Sequence, residues 1–454
     1  MIVRVFLVAA ALVVLALRGL AADGGSIVLK LENGKIEERQ ASTVPAQTVP
    51  TPTSPMPLSA VTAGPAPAIK AASAVLMDAD TGQVIYAVEP HVRRPNASTT
   101  KIMTAILFIE KCPMDAIVKV KKDATSTPYT SLNLRPGEQI CAKDLLIGMM
   151  VRSANDAAVV IAEHVAGSVR KFAKMMNRKA KALGCRNTHF VTPNGLYSKG
   201  HYSSAYDLCV ITRYALRYPI FNEVIAIRKH VIDSRSINKK DLVVINRSKF
   251  LRDYEGADGV KSGYVKQAGH CYVGSATRGG WRLLSAVLKS DNASRDTATL
   301  MDYGFNHFEP VTVVAANEPC ADVEVAGGLH QKVSVGTKAD FRVVVPKLQR
   351  HVTTRFKFQP VTAPIEKGDR VGQVVAIVNG AAVATADLFA LQDVSVCLGR
   401  RVWSWMGSAG VALICLFAGI RYGTALAKNP RQRRFGVATT LRGFDRFRQS
   451  GGQR

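Results

Sequence analysis

Residues 97–104 read Ala-Ser-Thr-Thr-Lys-Ile-Met-Thr, which sets Ser98 three places before Lys101 at the head of an apolar run. A serine hydroxyl is a weak nucleophile until a neighbouring base takes its proton. Lysine serves as that base when burial disfavours its charged form, and the apolar company of Ile102 and Met103 predicts such burial for Lys101. On a helix, residues i and i+3 share a face, and the helix N-terminus offers unpaired N–H groups to developing negative charge. The spacing alone is not decisive, because a helix-capping serine followed by an exposed lysine produces it too. Two further matches exist: Ser168 with Lys171, inside a strongly basic helical segment, and Ser236 with Lys239, inside a polar one. Neither pair has apolar flanks, so neither lysine would be desolvated.

Two more elements give Ser98 its context. "VRSANDAAVV" places Ser153 and Asn155 at the start of another apolar helix, and "GADGVKSGYV" places Lys261, Ser262 and Gly263 beside strand-like sequence. A hydroxyl and an amide on one side, with a cation and a second hydroxyl opposite, suit a peptide that ends in a free carboxylate. Ser-x-x-Lys, Ser-x-Asn and Lys-Ser-Gly in that order resemble the signature of penicillin-binding proteins and serine β-lactamases. Ser290-Asp291-Asn292 matches the second motif literally, but it follows Lys261 and ends a strand, so order assigns it to a loop.

The resemblance is closer still to the low-molecular-mass D-alanyl-D-alanine carboxypeptidases. It extends over roughly residues 69–395 and includes "VTPNGLYSKGHYSSAYDL" as well as the three motifs. It implies an α+β fold: a transpeptidase-like domain of mixed helices around an antiparallel sheet, a small all-β domain behind it and a C-terminal membrane anchor. It also implies an enzyme that removes the last D-alanine from peptidoglycan pentapeptide stems through a serine acyl-enzyme, an intermediate that β-lactams trap, with no cofactor and no metal. By the same resemblance Ser98 attacks, Lys101 takes its proton, Ser153 relays a proton to the leaving amine and Asn155 holds the stem peptide. Lys261 and Ser262 orient the terminal carboxylate, and the N–H groups of Ser98 and Tyr264, flanking Gly263, form the oxyanion hole. Arg247 is a further candidate for carboxylate recognition. The sequence departs from the family where Tyr264 and Val265 follow Lys-Ser-Gly, removing one hydroxyl near the carboxylate pocket.

The elements that must position these residues are legible in outline. Asp80-Thr81-Gly82 separates two short strand-like runs and predicts a hairpin. "TKIMTAILFIEK", "AKDLLIGMM" and "NDAAVVIAEHVAG" predict helices, the first apolar nearly all round, while "CYVGSATR" and "RLLSAVLK" predict adjacent strands. The catalytic domain is expected over 69–308. From Glu309 the pattern turns to alternation without helices, in "VTVVAA", "ADVEVAG", "DFRVVVP", "TRFKFQPV" and "GQVVAIVNG", which predicts an all-β domain over 309–396.

The remaining segments concern export and attachment. Arg4, an uncharged run from Val5 to Leu17 and the small pair Ala21 and Ala22 read as a signal peptide over 1–22, followed by a linker over 23–68 rich in Pro, Thr and Ala. Val402 to Ile420 holds nineteen uncharged residues with Trp403 and Trp405 at one end, which predicts a membrane-spanning anchor over 397–421 in inner-membrane lipid. The tail beyond it, 422–454, is basic and expected inside the cell, with the catalytic body outside. With 47% hydrophobic residues in 454, the chain can bury real cores, and its net charge of +26 favours anionic partners. A nucleic-acid role conflicts with the export signal and lacks a recognition motif. The eight cysteines contain no Cys-x-x-Cys pair, so no zinc site is indicated.

Three other functions share parts of this reading. A class A β-lactamase needs a Glu-x-x-x-Asn pattern, and Glu163, Glu223 and Glu255 each lack the asparagine. A DD-endopeptidase would use the same serine in a wider pocket. A catalytically silent, membrane-anchored wall-binding protein would have no need of three intact motifs.

Overall fold

The computed structural model describes residues 63–121, 127–237, 242–348 and 351–397, with the helical residues Leu413 and 416–418. The expected signal peptide, most of the linker, nearly all of the expected anchor and the whole tail lie outside these residues. Among the described residues no helix is long and apolar enough to cross a membrane.

Strands β1 (Ser73–Asp78) and β2 (Val84–Val88) form the expected hairpin, with Gly82 at φ +78 in its turn. A short 3-10 turn, Ala97–Thr100, leads directly into α1 (Lys101–Lys111), whose first eight residues are all buried. A small ribbon of β3 (Ile117–Lys119) and β4 (Gln139–Cys141) precedes α2 (Ala142–Val151), α3 (Asn155–Ala166) and α4 (Val169–Ala182). Gly167, at φ +76, ends α3 in the left-handed conformation that glycine adopts without a Cβ penalty. Then come α5 (Ala205–Ala215), α6 (Pro219–Ala226), the ribbon β5 (Lys229–Ile232) with β6 (Leu242–Ile245), and the short α7 (Lys249–Asp253).

The sheet is completed by β7 (Ala257–Val265), β8 (Gly269–Arg278) and β9 (Trp281–Ser290), in the antiparallel order β2-β1-β9-β8-β7. Every residue of β1 is buried, because it lies inside the sheet with both faces covered. β7 is an edge strand, and it packs against the 3-10 turn at Gly263. The last helix, α8 (Ala293–His307), covers the opposite face of the sheet and shares a core with it that includes Leu76, Leu283, Leu300 and Met301.

The remaining strands are β10 (Phe308–Val314), β11 (Ala321–Ala326), β12 (Lys332–Gly336), β13 (Phe341–Pro346), β14 (Val352–Phe358), β15 (Val361–Thr362), β16 (Arg370–Val378) and β17 (Ala381–Ala390). β10 pairs with β13, and the other six form a sheet around a valine-rich core. Gln83 joins the two domains like one more strand residue: its amide donates to the Val344 carbonyl at 2.8 Å and accepts from the Val344 N–H at 2.8 Å.

Candidate active site

Ser98 sits in the 3-10 turn rather than in α1 itself, and the tighter winding matters. In 3-10 geometry side chains at i and i+3 eclipse one another, which brings Lys101 Nζ to 2.8 Å from Ser98 Oγ. The half-buried hydroxyl is thus backed by a lysine with no exposed surface. Two other atoms meet the same amine: Asn155 Oδ1 and the Asn194 carbonyl, each accepting at 2.8 Å. Burial holds Lys101 well below the ordinary lysine range; repulsion from Lys261 adds to this, and Asp156 opposes it.

Burial favours the uncharged amine of Lys101 over its ammonium form. The ammonium would donate to all three partners. The uncharged amine has two N–H bonds and one lone pair, and with those N–H bonds given to the two carbonyl oxygens the lone pair is left for the Ser98 hydroxyl.

Ser153 and Asn155 flank the start of α3. Ser153 is half-buried and holds φ +64, and Ala97, next to Ser98, holds φ +46. Two side-chain-bearing residues in the left-handed region thus lie in or beside the motifs, where the surrounding packing must compensate the strain. Asn155 Oδ1 accepts from Lys101, and its Nδ2 donates to the Pro128 carbonyl at 2.9 Å, which uses one of the two N–H bonds of this buried amide.

On β7 the residues alternate: Lys261 and Gly263 are buried, Ser262 and Tyr264 exposed. Burial brings Lys261 down to about 7, and its Nζ donates to the Ser262 carbonyl at 3.0 Å. Gly263 lies hard against the nucleophile: a Cβ built there would stand 2.7 Å from the Ser98 nitrogen and 3.2 Å from the Thr99 nitrogen. Only glycine lets the edge strand approach so closely. The exposed Tyr264 ring packs beside His270, with centroids 4.7 Å apart. Arg247 is exposed on the loop between β6 and α7, and no hydrogen bond or ion pair joins it to the Ser98 group among the described residues.

The competing motifs are structural. Ser168 caps α4, its Oγ accepting the Lys171 N–H at 3.3 Å, and Lys171 is exposed. Ser236 accepts from the Gln139 N–H, while Lys239 lies outside the described residues. Ser290 donates to Asp296 at 2.6 Å, and Asn292 caps α8.

The profile of the D-alanyl-D-alanine carboxypeptidase peptidases matches residues 60–292, which contain the whole Ser98 constellation. The chain belongs to the D-alanyl-D-alanine carboxypeptidase family. The profile of the penicillin-binding protein 5 C-terminal domain matches residues 308–396, the all-β domain. The D-alanyl-D-alanine carboxypeptidase DacF of Bacillus subtilis is 32% identical over 335 residues, covering 71% of this chain and 86% of its own length. DacD of Escherichia coli is 31% identical, covering 72% and 88%. Among solved structures, penicillin-binding protein 5 of Haemophilus influenzae superposes with a TM-score of 0.66 at 30% identity, over 73% of this chain and 99% of that one.

Several residues that hold the carboxypeptidase's site together escaped the motif search. Asn194 contributes a backbone carbonyl, which has no side-chain signature, although it sits in the "TPNGL" stretch that carries part of the resemblance. Gly195, at φ +83, packs directly beneath the Ala97 carbonyl and leaves no room for a side chain. His201 is buried, accepts the Val191 N–H at its Nδ1 (3.1 Å), and so carries its proton on Nε2, which donates to Thr100 Oγ1 at 2.9 Å. Burial lowers His201 to about 4, which keeps that tautomer neutral across the physiological range. Asp156, also buried, accepts from the Leu132 and Leu134 N–H groups and from Ser131 Oγ, fixing the loop that runs into the site from β3.

Proposed function

We infer that Ser98 is the nucleophile with which this serine-type D-alanyl-D-alanine carboxypeptidase cleaves peptidoglycan stems, and Lys101 its base. The observation that carries this is the threefold environment of Lys101 Nζ: two carbonyl-type acceptors and one hydroxyl. Ser98 Oγ bonds to the carbonyl carbon of the penultimate D-alanine while its proton passes to Lys101 Nζ. The resulting oxyanion is received by the N–H groups of Ser98 and Tyr264, the residue after the Gly263 that packs against the Ser98 nitrogen. When the C–N bond breaks, the departing D-alanine takes a proton through Ser153, leaving an ester on Ser98. Water then hydrolyses that ester by the same proton path in reverse.

Lys261, with the exposed Ser262 hydroxyl, receives the terminal carboxylate, and a bound anion favours its charged form. β7 has an unpaired edge, which suits an extended peptide laid beside it. Penicillins acylate the same Ser98.

The body works outside the cytoplasm, and residues 397–421 anchor it to the membrane with the basic tail on the cytoplasmic side. A chain truncated after residue 396 should leave the membrane fraction, and retention there would remove the anchor. The catalytic reading is tested by D-alanine release from diacetyl-Lys-D-Ala-D-Ala, with fluorescent-penicillin labelling of the same preparations. Both signals should vanish in Ser98→Ala. Labelling without release would move the function to an endopeptidase, and rapid turnover of the label would move it to a β-lactamase.

A further inference from the structure

α4 is set apart by its charge. It carries Arg170, Lys171, Lys174, Arg178, Lys179 and Lys181 and no acidic residue. Lys179 alone turns inward, to Glu110 at 2.7 Å. The other five are exposed, and among the described residues none of them is in an ion pair. Their spacing makes a stripe: Lys171, Lys174, Arg178 and Lys181 follow one another at intervals of three or four residues on one face. From Lys171 to Lys181 the stripe runs about 15 Å.

Such a stripe has a cost. Like charges at i,i+3 and i,i+4 destabilise a helix, and an ordinary solvated face relieves this by mixing signs. Here the relief has to come from outside the helix. The opposite face is committed to the core through Phe172, Ala173, Met176 and Ala180, all buried, so α4 has no apolar side left to insert into a bilayer. What it offers is a row of long, mobile cations at a pitch of about 5 Å, suited to a polymer with repeated carboxylates. The substrate has that chemistry: every stem that this enzyme trims ends in a free carboxylate, and the stems are strung along a chain.

We propose that the exposed face of α4 is a docking surface for polymeric peptidoglycan, separate from the Ser98 site, which holds neighbouring stems while one is cut. The proposal rests on the carboxypeptidase reading. It gains by effective concentration: a chain held at the stripe presents its other stems to Ser98 without a fresh encounter.

The test uses the full chain and Lys171→Glu/Lys174→Glu/Arg178→Glu, with a neutral Lys171→Gln/Lys174→Gln/Arg178→Gln companion. Four readouts are compared: D-alanine release from the soluble tripeptide, release from pentapeptide-rich insoluble sacculi, co-sedimentation with sacculi at roughly 0.05 and 0.5 M salt, and binding to phosphatidylglycerol vesicles. Tripeptide turnover should stay at the wild-type level in both variants. Release from sacculi at low salt should fall about tenfold with charge reversal and less with neutralisation, and sedimentation of the wild type should weaken at high salt. Wild-type release from sacculi by both variants overturns the proposal. So does loss of binding to phosphatidylglycerol vesicles with sacculus turnover unchanged, which would assign the stripe to the membrane surface. If charge reversal also lowers tripeptide turnover, the neutral variant decides. A wild-type chain inert on the tripeptide would instead sink the underlying enzymatic reading.

Discussion

Gly263→Ala adds a single methyl group at the closest approach in the site. That Cβ would stand 2.7 Å from the Ser98 nitrogen, 3.0 Å from Ala97 Cβ and 3.2 Å from the Thr99 nitrogen, against the 3.4 Å at which ordinary contact begins. The strand and the nucleophile turn must therefore separate by about 0.7 Å. The turn cannot yield, because the Ala97 carbonyl is already wedged on Gly195 and Thr100 is tied to both Asn96 and His201. The movement falls on β7, which carries the Tyr264 N–H and Lys261. A displacement approaching 1 Å in a catalytic constellation costs about 10²-fold, or roughly 2.7 kcal/mol of transition-state stabilisation. Overpacking itself costs about 1–3 kcal/mol of fold stability, which a thermal melt reports separately. The assay is the second-order rate of acylation by a fluorescent penicillin, beside D-alanine release from the soluble tripeptide. A folded Gly263→Ala protein acylated at the wild-type rate would refute the claim that this contact sets the oxyanion geometry.

Three further outcomes are expected. Activity requires Lys101 neutral and Lys261 charged, so kcat/KM should rise with pH through the lowered Lys101 value and fall as Lys261 deprotonates above about 7; a pH profile without the alkaline fall would remove Lys261 from carboxylate binding. The same lowering has a stability consequence: between about 7 and the ordinary 10.5 the unfolded chain binds the extra proton, so stability rises with pH across that window. Urea unfolding of Lys261→Met at several pH values should show a shallower rise. Asp156→Asn removes the one charge that raises Lys101, so the acid limb of the pH profile should move to lower pH; the Leu132 N–H keeps Oδ1, but the Leu134 N–H loses its Oδ2 acceptor, which lowers stability by about 1–3 kcal/mol in a thermal melt. Arg235→Met strands Glu138 in the core, where the pair now meets at 2.6 Å with both side chains almost fully buried, and denaturant unfolding should show a loss of about 3–5 kcal/mol.

The sequence by itself determined what is local or ordered along the chain. Motif order pointed to the family, the helical run after Ser98 pointed to a buried Lys101, and the change to strict alternation after Glu309 marked the all-β domain, because helix and strand periods follow from backbone geometry. The decoy Ser168 could be set aside for the same local reason: its helix is basic and its lysine solvated. Only the tertiary structure decided which distant groups meet. Asn155 and Asn194, 54 and 93 residues beyond Lys101, close on one amine; one contributes a side-chain oxygen, the other a backbone carbonyl that no residue type announces. Gly263 reads in sequence as part of a motif, and in space as the gap that lets an edge strand touch the nucleophile's nitrogen. Periodicity is written by the bonds along the chain, whereas the approach of strand to turn is set by how side chains fill the space between elements, and that volume exists only once the chain has packed.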